Sequence, residues 1–102
     1  MDIRTTVMSH QYEPISRALE SELREAGFHC IDGKPLSMSD FVDELFALCP
    51  DCAGIKLSGA KNPDSWSARV SWPDRWLEMV DGNALNTVGK LWLMLKRGAR
   101  PH

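Results

Sequence analysis

Two cysteines separated by two residues are the part of this sequence best suited to chemistry. They form the motif Cys49-Pro50-Asp51-Cys52, in a chain that contains three cysteines. A C-x-x-C motif can be a thiol–disulfide pair, half of a zinc site, or two cysteines packed as small apolar side chains. The redox interpretation is disfavoured because Cys49 ends a predicted helix, whereas an activated thiolate is favoured at a helix N-terminus.

A zinc site would need two further ligands, since structural zinc is bound by four side chains. The chain has no second C-x-x-C motif, so His29 and Cys30 are the best remaining candidates. Neighbouring residues of an extended segment point to opposite sides, which argues against both of them reaching one ion. We therefore predict free thiols and no cofactor. A small zinc-stabilised domain built on Cys49 and Cys52, associated with nucleic acid, is the alternative.

The common catalytic patterns are missing from the sequence. It contains no Gly-x-Ser-x-Gly, no glycine-rich phosphate loop and no His-x-x-x-His pair. The three histidines, His10, His29 and His102, are far apart along the chain. We therefore expect a protein that is not an enzyme.

Tryptophans and arginines cluster in one segment of the second half of the chain. Trp66, Trp72 and Trp76 fall within a short stretch that also holds Arg69 and Arg75. Exposed tryptophan beside arginine is typical of protein–protein binding sites, so Arg69, Trp72, Arg75 and Trp76 are the candidate binding residues. The alternative is that Trp76 is a core residue. Tryptophan and arginine also bind nucleic acid, but a pI of about 5.9 argues against that partner.

Length and composition indicate one domain. The chain has 102 residues, of which 43% are hydrophobic and 25% charged, so it can bury a core. We expect a single domain over 1–102, with 1–12 as a flexible or extended arm and 98–102 as a frayed tail. The odd number of cysteines, the lack of an apolar signal segment and the lack of a membrane-length apolar run predict a cytoplasmic protein without membrane contact.

Charge is distributed unevenly between the two halves. Residues 1–52 carry ten acidic and four basic side chains, whereas 53–102 carry four acidic and eight basic ones. Solvated helix faces are the simplest explanation. The alternative is a molecule with two oppositely charged faces, one of them suited to a basic partner.

Apolar periodicity predicts three helices. The first covers 14–26, with Ile15, Ala18, Leu19, Leu23 and Ala26 on its apolar face. The second runs from an N-cap at Ser37, which forms a capping box with Asp40, to about Cys49, where the following proline ends it. The third covers 84–97.

Alternation of apolar and polar residues predicts the strands. A short strand or a buried extended segment is expected at 28–31, and strands are expected at 54–59, 65–72 and 76–80, with one turn of helix as the alternative for 76–80, before Asn83 caps the last helix. Because the later strands follow one another without helices between them, antiparallel pairing is expected. The predicted fold class is α+β, with a small antiparallel sheet of three to four strands and two to three helices packed on one face.

The segment from Trp66 to Gly98 supports one family resemblance. Its strand Ser67-Ala68-Arg69-Val70-Ser71-Trp72, the turn at Gly82-Asn83 and the helix that ends near Leu95 resemble small α+β accessory proteins encoded by phages and prophages. The resemblance implies a non-enzymatic protein-binding module that acts as an accessory or inhibitor on a host protein. A homodimer is the other expected association.

Overall fold

The computed structural model describes residues 14–30, 33–59 and 65–98, which form a small α+β fold. These residues contain three helices and one antiparallel sheet, whose three strands lie side by side in chain order. The strands therefore number three within the described ranges, at the lower end of the prediction. The elements in chain order are α1 (Arg17–Glu25), α2 (Met38–Leu48), β1 (Gly54–Gly59), β2 (Trp66–Trp72), β3 (Arg75–Asp81) and α3 (Ala84–Lys96).

Side-chain caps fix the start of the first two helices. The hydroxyl of Ser16 accepts a hydrogen bond from the backbone of Leu19 at 3.3 Å, so α1 begins at Arg17, three residues later than predicted. The predicted capping box of α2 is confirmed, because Ser37 and Asp40 each accept a hydrogen bond from the other's backbone N–H.

Two asparagines join the start of α3 to the start of α1. The Oδ1 atom of Asn83 caps α3 by accepting from Asn86 N at 3.0 Å, and its Nδ2 atom donates to Pro14 O at 2.9 Å. The Oδ1 atom of Asn86 accepts from Ser16 N at 3.0 Å. The N-cap prediction for Asn83 is thus confirmed, and the same side chain also positions α1.

The register of the sheet separates its two faces. Ile55, Val70 and Leu77 lie opposite one another across the three strands, as do Lys56, Arg69 and Glu78 in the next row. Side chains of adjacent rows point to opposite faces. The helices cover one side, which we call the covered face and define by Ile55, Leu57, Ala68, Val70 and Leu77, all buried. The other side, the open face, carries Lys56, Ser67, Arg69, Trp76, Glu78 and Val80.

The core lies between the covered face and α3. Helix α3 packs on β2 and β3, and α1 and α2 pack on α3. Gly89 allows the close approach, since a Cβ atom there would lie 3.3–3.4 Å from side-chain atoms of Ile15, Leu19 and Phe41. Trp92 completes this layer and makes an edge contact with Phe28, with ring centroids 5.0 Å apart.

Of the two alternatives predicted for 28–31, the strand is wrong for residues 28–30, while Phe28 at the start of the segment is buried. Residues 28–30 are not in a strand, and 31 lies outside the described residues. Phe28 N donates to Leu23 O at 2.9 Å, and its ring lies between Phe41 and Trp92. This segment is apolar because it packs among helices. A short apolar run of this kind has the same sequence pattern as a buried strand.

Two smaller expectations concern the first helix and the chain ends. Ala18, expected on the buried side of α1, is exposed, while Leu19 and Leu23 are buried. The expected arm 1–12 lies outside the described residues, and so does the tail beyond Gly98, which itself has φ +80°. No helix in the described ranges is both long enough and apolar enough to cross a membrane.

Candidate functional site

The four candidate binding residues form two arginine–tryptophan pairs. The guanidinium carbon of Arg69 lies 4.3 Å from the ring centroid of Trp76, and that of Arg75 lies 5.1 Å from the ring centroid of Trp72. Arg69 and Trp76 belong to the open face, whereas Trp72 and Arg75 are paired across the hairpin in a row of the opposite parity. The structure therefore does not bring the four residues together into one surface.

Trp76 lies at the surface of the molecule. Its side chain is 39% exposed, and Val80 on the same strand is 55% exposed. Within residues 14–30, 33–59 and 65–98 these two are the exposed large apolar side chains. Both belong to the open face of β3, an edge strand, so apolar surface is concentrated on one side of one strand.

Arg69 is held in place from two sides. Its Nε atom, which is shielded from solvent, lies 3.3 Å from Oε2 of Glu78, its cross-strand partner. Its guanidinium covers the ring of Trp76, in the geometry of a cation–π contact. The side chain as a whole remains 43% exposed. Arg69 is thus a cation that is positioned by neighbours on its own sheet and still accessible.

Trp72 belongs to the fold. It is half-buried and packs against the core cluster. Its indole Nε1 atom donates a hydrogen bond of 3.3 Å to Oδ1 of Asp51, in the loop that precedes β1. The ring therefore connects the end of the hairpin to the loop between α2 and β1.

The cysteines of the C-x-x-C motif are placed by the end of α2. All three cysteines of the chain are thiols; Cys49 is buried, and Cys30 and Cys52 are half-buried. Burial first, then the proximity of Cys52 and Asp51, raise the pKa of Cys49 to about 11. Burial also raises the pKa of Cys52. An activated thiolate at neutral pH is therefore disfavoured here.

The zinc alternative lacks a ligand cluster. His29, Cys30, Cys49 and Cys52 all fall in the described residues, and nowhere in these residues do three His, Cys, Asp or Glu side chains gather closely enough to hold a metal ion. In the segment that would supply the other two ligands, His29 is exposed and Cys30 is half-buried.

Arg69 and Trp76 were predicted from the sequence, but their neighbours Glu78 and Val80 were not. Glu78 and Val80 complete the surface because the register places Glu78 opposite Arg69 and Val80 opposite Ser67. The signal was present in the alternation of β3, where Trp76, Glu78 and Val80 share one parity and Leu77 has the other. The hairpin register was needed to place them beside Arg69.

Comparison with known proteins identifies no relative. No protein-family model, no curated protein and no solved structure matches this chain. The function must therefore be argued from the geometry described above.

Proposed function

We propose that this chain is a non-enzymatic protein-binding module that contacts its partner through the open face of the sheet. The observation that carries the proposal is the exposed Trp76 with Arg69 stacked on its ring. Tryptophan and arginine are the side chains most enriched among residues that dominate protein–protein binding energy.

Two properties of the open face support this proposal: its apolar side chains are exposed, and its arginine is ordered before a partner binds. Trp76 and Val80 supply apolar area, and the contacts of Arg69 with Trp76 and Glu78 hold its guanidinium in place. Side chains that are already ordered lose less conformational entropy on binding.

Charge favours a partner surface that carries carboxylates. Lys56 is exposed on the open face near Arg69, against the single acidic residue Glu78. Exposed acids such as Glu25 and Asp43 lie on α1 and α2, in the helical layer on the other side of the sheet. Opposite potentials on two proteins speed association and fix its orientation. The site proposed here would then lie on the basic side in the alternative of two oppositely charged faces, whose acidic side would suit a basic partner.

We also propose a location and a biological role for this chain. A cytoplasmic location agrees with three reduced thiols. The role of a phage or mobile-element accessory protein that acts on a host protein, and the assignment as a protein without enzymatic activity, rest on the sequence arguments alone.

The test is quantitative affinity capture with matched arginine variants. The tagged chain, its Trp76→Ala and Arg69→Ala variants and an Arg17→Ala control are expressed in the native host, and captured proteins are compared by mass spectrometry. Arg17 is exposed at the start of α1, in the helical layer. We expect at least one identified protein to be captured equally by wild type and Arg17→Ala and to be lost with both open-face variants.

Binding is then measured with purified components. Calorimetry is expected to show an affinity that falls with added salt and that Trp76→Ala lowers by at least about fivefold, since binding residues of this kind contribute more than about 1 kcal/mol each. Capture that is unchanged by both open-face variants, with all proteins folded, would refute the proposal. A captured protein identical to the chain itself would replace it with homodimerisation.

A further inference from the structure

The loop between α2 and β1 brings two thiols into a tight turn. Helix α2 ends at Leu48, and Cys49 is its C-cap residue with φ −126° and ψ 62°. The chain then reverses through Pro50 and Asp51, and Cys52 N donates to Cys49 O at 3.2 Å. This i to i+3 hydrogen bond defines a β-turn, whose end Cα atoms lie within about 7 Å of each other.

The turn matches the spacing that a disulfide needs. Cα atoms of bonded cysteines are usually about 4.4–6.8 Å apart, which overlaps the range set by the turn. Burial is the main cause of the raised pKa of Cys49, and the nearby Cys52 contributes to it as well. Proximity is thus indicated both by the backbone hydrogen bond and by this interaction.

The two cysteines differ in access to solvent. Cys49 is 4% exposed, whereas Cys52 is half-buried. A reagent from solvent therefore reaches Cys52 first, and Cys49 lies behind it as a second thiol.

We propose that Cys49 and Cys52 form an oxidant-responsive dithiol, reduced in this structure, which small disulfides such as oxidised glutathione convert into an intrachain disulfide. The thiolate of Cys52 attacks one sulfur of the oxidant, forms a mixed disulfide and releases one thiolate. Cys49 then loses its proton to water and attacks the sulfur of Cys52, which releases the second thiolate. Two protein thiols lose two electrons and two protons, and one small disulfide becomes two thiols.

This chemistry differs from that of a thiol–disulfide oxidoreductase. Such enzymes rely on an activated thiolate at a helix N-terminus, whereas Cys49 lies at the C-terminal end of α2, where the helix dipole disfavours negative charge. The reaction proposed here is therefore a slow modification of the protein itself. The disulfide would constrain Asp51, whose carboxylate accepts the indole N–H of Trp72, so oxidation would rigidify the contact between this turn and the hairpin.

The test measures disulfide formation in buffers of defined glutathione ratio. A Cys30→Ser chain, which retains only the motif cysteines, is equilibrated folded and, separately, unfolded in denaturant, then quenched in acid and analysed by mass spectrometry. The same measurement on the wild-type chain, with differential alkylation to locate the bond, covers the case in which Cys30→Ser does not fold.

We expect the folded chain to lose two hydrogens as an intrachain disulfide, with an equilibrium constant at least about tenfold above that of the unfolded chain, which is a potential difference of about 30 mV. The matched variant Cys49→Ser should instead accumulate a mixed disulfide on Cys52. A folded chain that keeps both thiols, that stops at the mixed disulfide, or that closes no more readily than the unfolded chain would overturn the proposal.

Discussion

The two faces of the sheet place the same pair of residue types in different surroundings. On the open face, Arg69 lies over Trp76, and the ring is exposed at the surface. On the opposite side of the hairpin, Arg75 lies over Trp72. The ring of Trp72 packs against the core, and its indole N–H donates to Asp51. The sequence distance between Trp72 and Trp76 is only four residues, yet the hairpin turn between them changes the face.

Residue type alone therefore does not identify a binding residue. A tryptophan whose polar atom and ring are both engaged within the fold contributes to folding, whereas an exposed tryptophan with an ordered arginine has surface left for a partner. Changes on the covered side should therefore alter stability, and changes on the open face should alter binding.

The largest contrast is expected between two residues of β3. Leu77 on the covered face is 2% exposed, whereas Val80 on the open face is 55% exposed. We expect Leu77→Ala to lower the free energy of unfolding by about 2–5 kcal/mol, because it leaves a cavity in the core. Val80→Ala should change it by less than about 0.5 kcal/mol. Urea denaturation measures both, and similar losses for the two variants would contradict the assignment of faces.

A second effect should appear at alkaline pH. The pKa of Cys49 rises from 9.0 to about 11 on folding, mainly because the thiol is buried. Between these values the unfolded chain has released the proton that the folded chain still holds, so stability falls as pH rises. The folding stability that the protonated thiol of Cys49 contributes is fully present below pH 9 and is lost by about pH 11.

Denaturant titrations between pH 8 and 11 measure this effect, with a slope of at most about 1.4 kcal/mol per pH unit for one proton. Cys49→Ala, though less stable overall, should show a shallower slope over the same window. Parallel pH profiles for the wild-type and variant chains would show that the thiol of Cys49 does not become less acidic on folding.

The hydrogen bond of Trp72 should have a smaller effect. Trp72→Phe keeps an aromatic ring but removes the indole N–H that Asp51 accepts. We expect a loss of about 1 kcal/mol, the usual net contribution of one hydrogen bond, and a lower melting temperature. Asp51→Asn, which keeps an acceptor oxygen, is the matched control and should lose less. Equal melting temperatures for the wild-type and Trp72→Phe chains would mean that this tryptophan is not fixed by Asp51.

Much of the fold could be predicted from local signals. The capping box at Ser37 and Asp40, the N-cap at Asn83 and the strand Gly54–Gly59 were identified because each depends on residues close together in sequence. The strand alternative for 28–31 was wrong for residues 28–30, because Phe28 is buried by contacts with Phe41 and Trp92, which are distant in sequence.

The site was only partly predictable for the same physical reason. Arg69 and Trp76 could be proposed from their types, but the contact between them depends on the register of β2 against β3. No local sequence pattern indicates a role for Gly89, yet it lies where α1 and α2 approach α3. Both features arise from packing between elements. The periodicity of one element does not predict how that element packs against another.

A small effect on stability is also expected for the open-face pair itself. An exposed cation–π contact contributes about 0.5–1 kcal/mol, so Trp76→Ala and Arg69→Ala should each destabilise the chain by no more than about 1 kcal/mol. A double-mutant cycle isolates their coupling, which we expect to be about 0.5 kcal/mol, since Arg69 also retains its ion pair with Glu78. The same variants should nevertheless abolish capture of the partner, because binding buries the exposed ring and the guanidinium together. A coupling of several kcal/mol would show that the pair is a structural element, like Trp72 with Asp51, and the division between the faces would fail at the residue on which the proposed function depends.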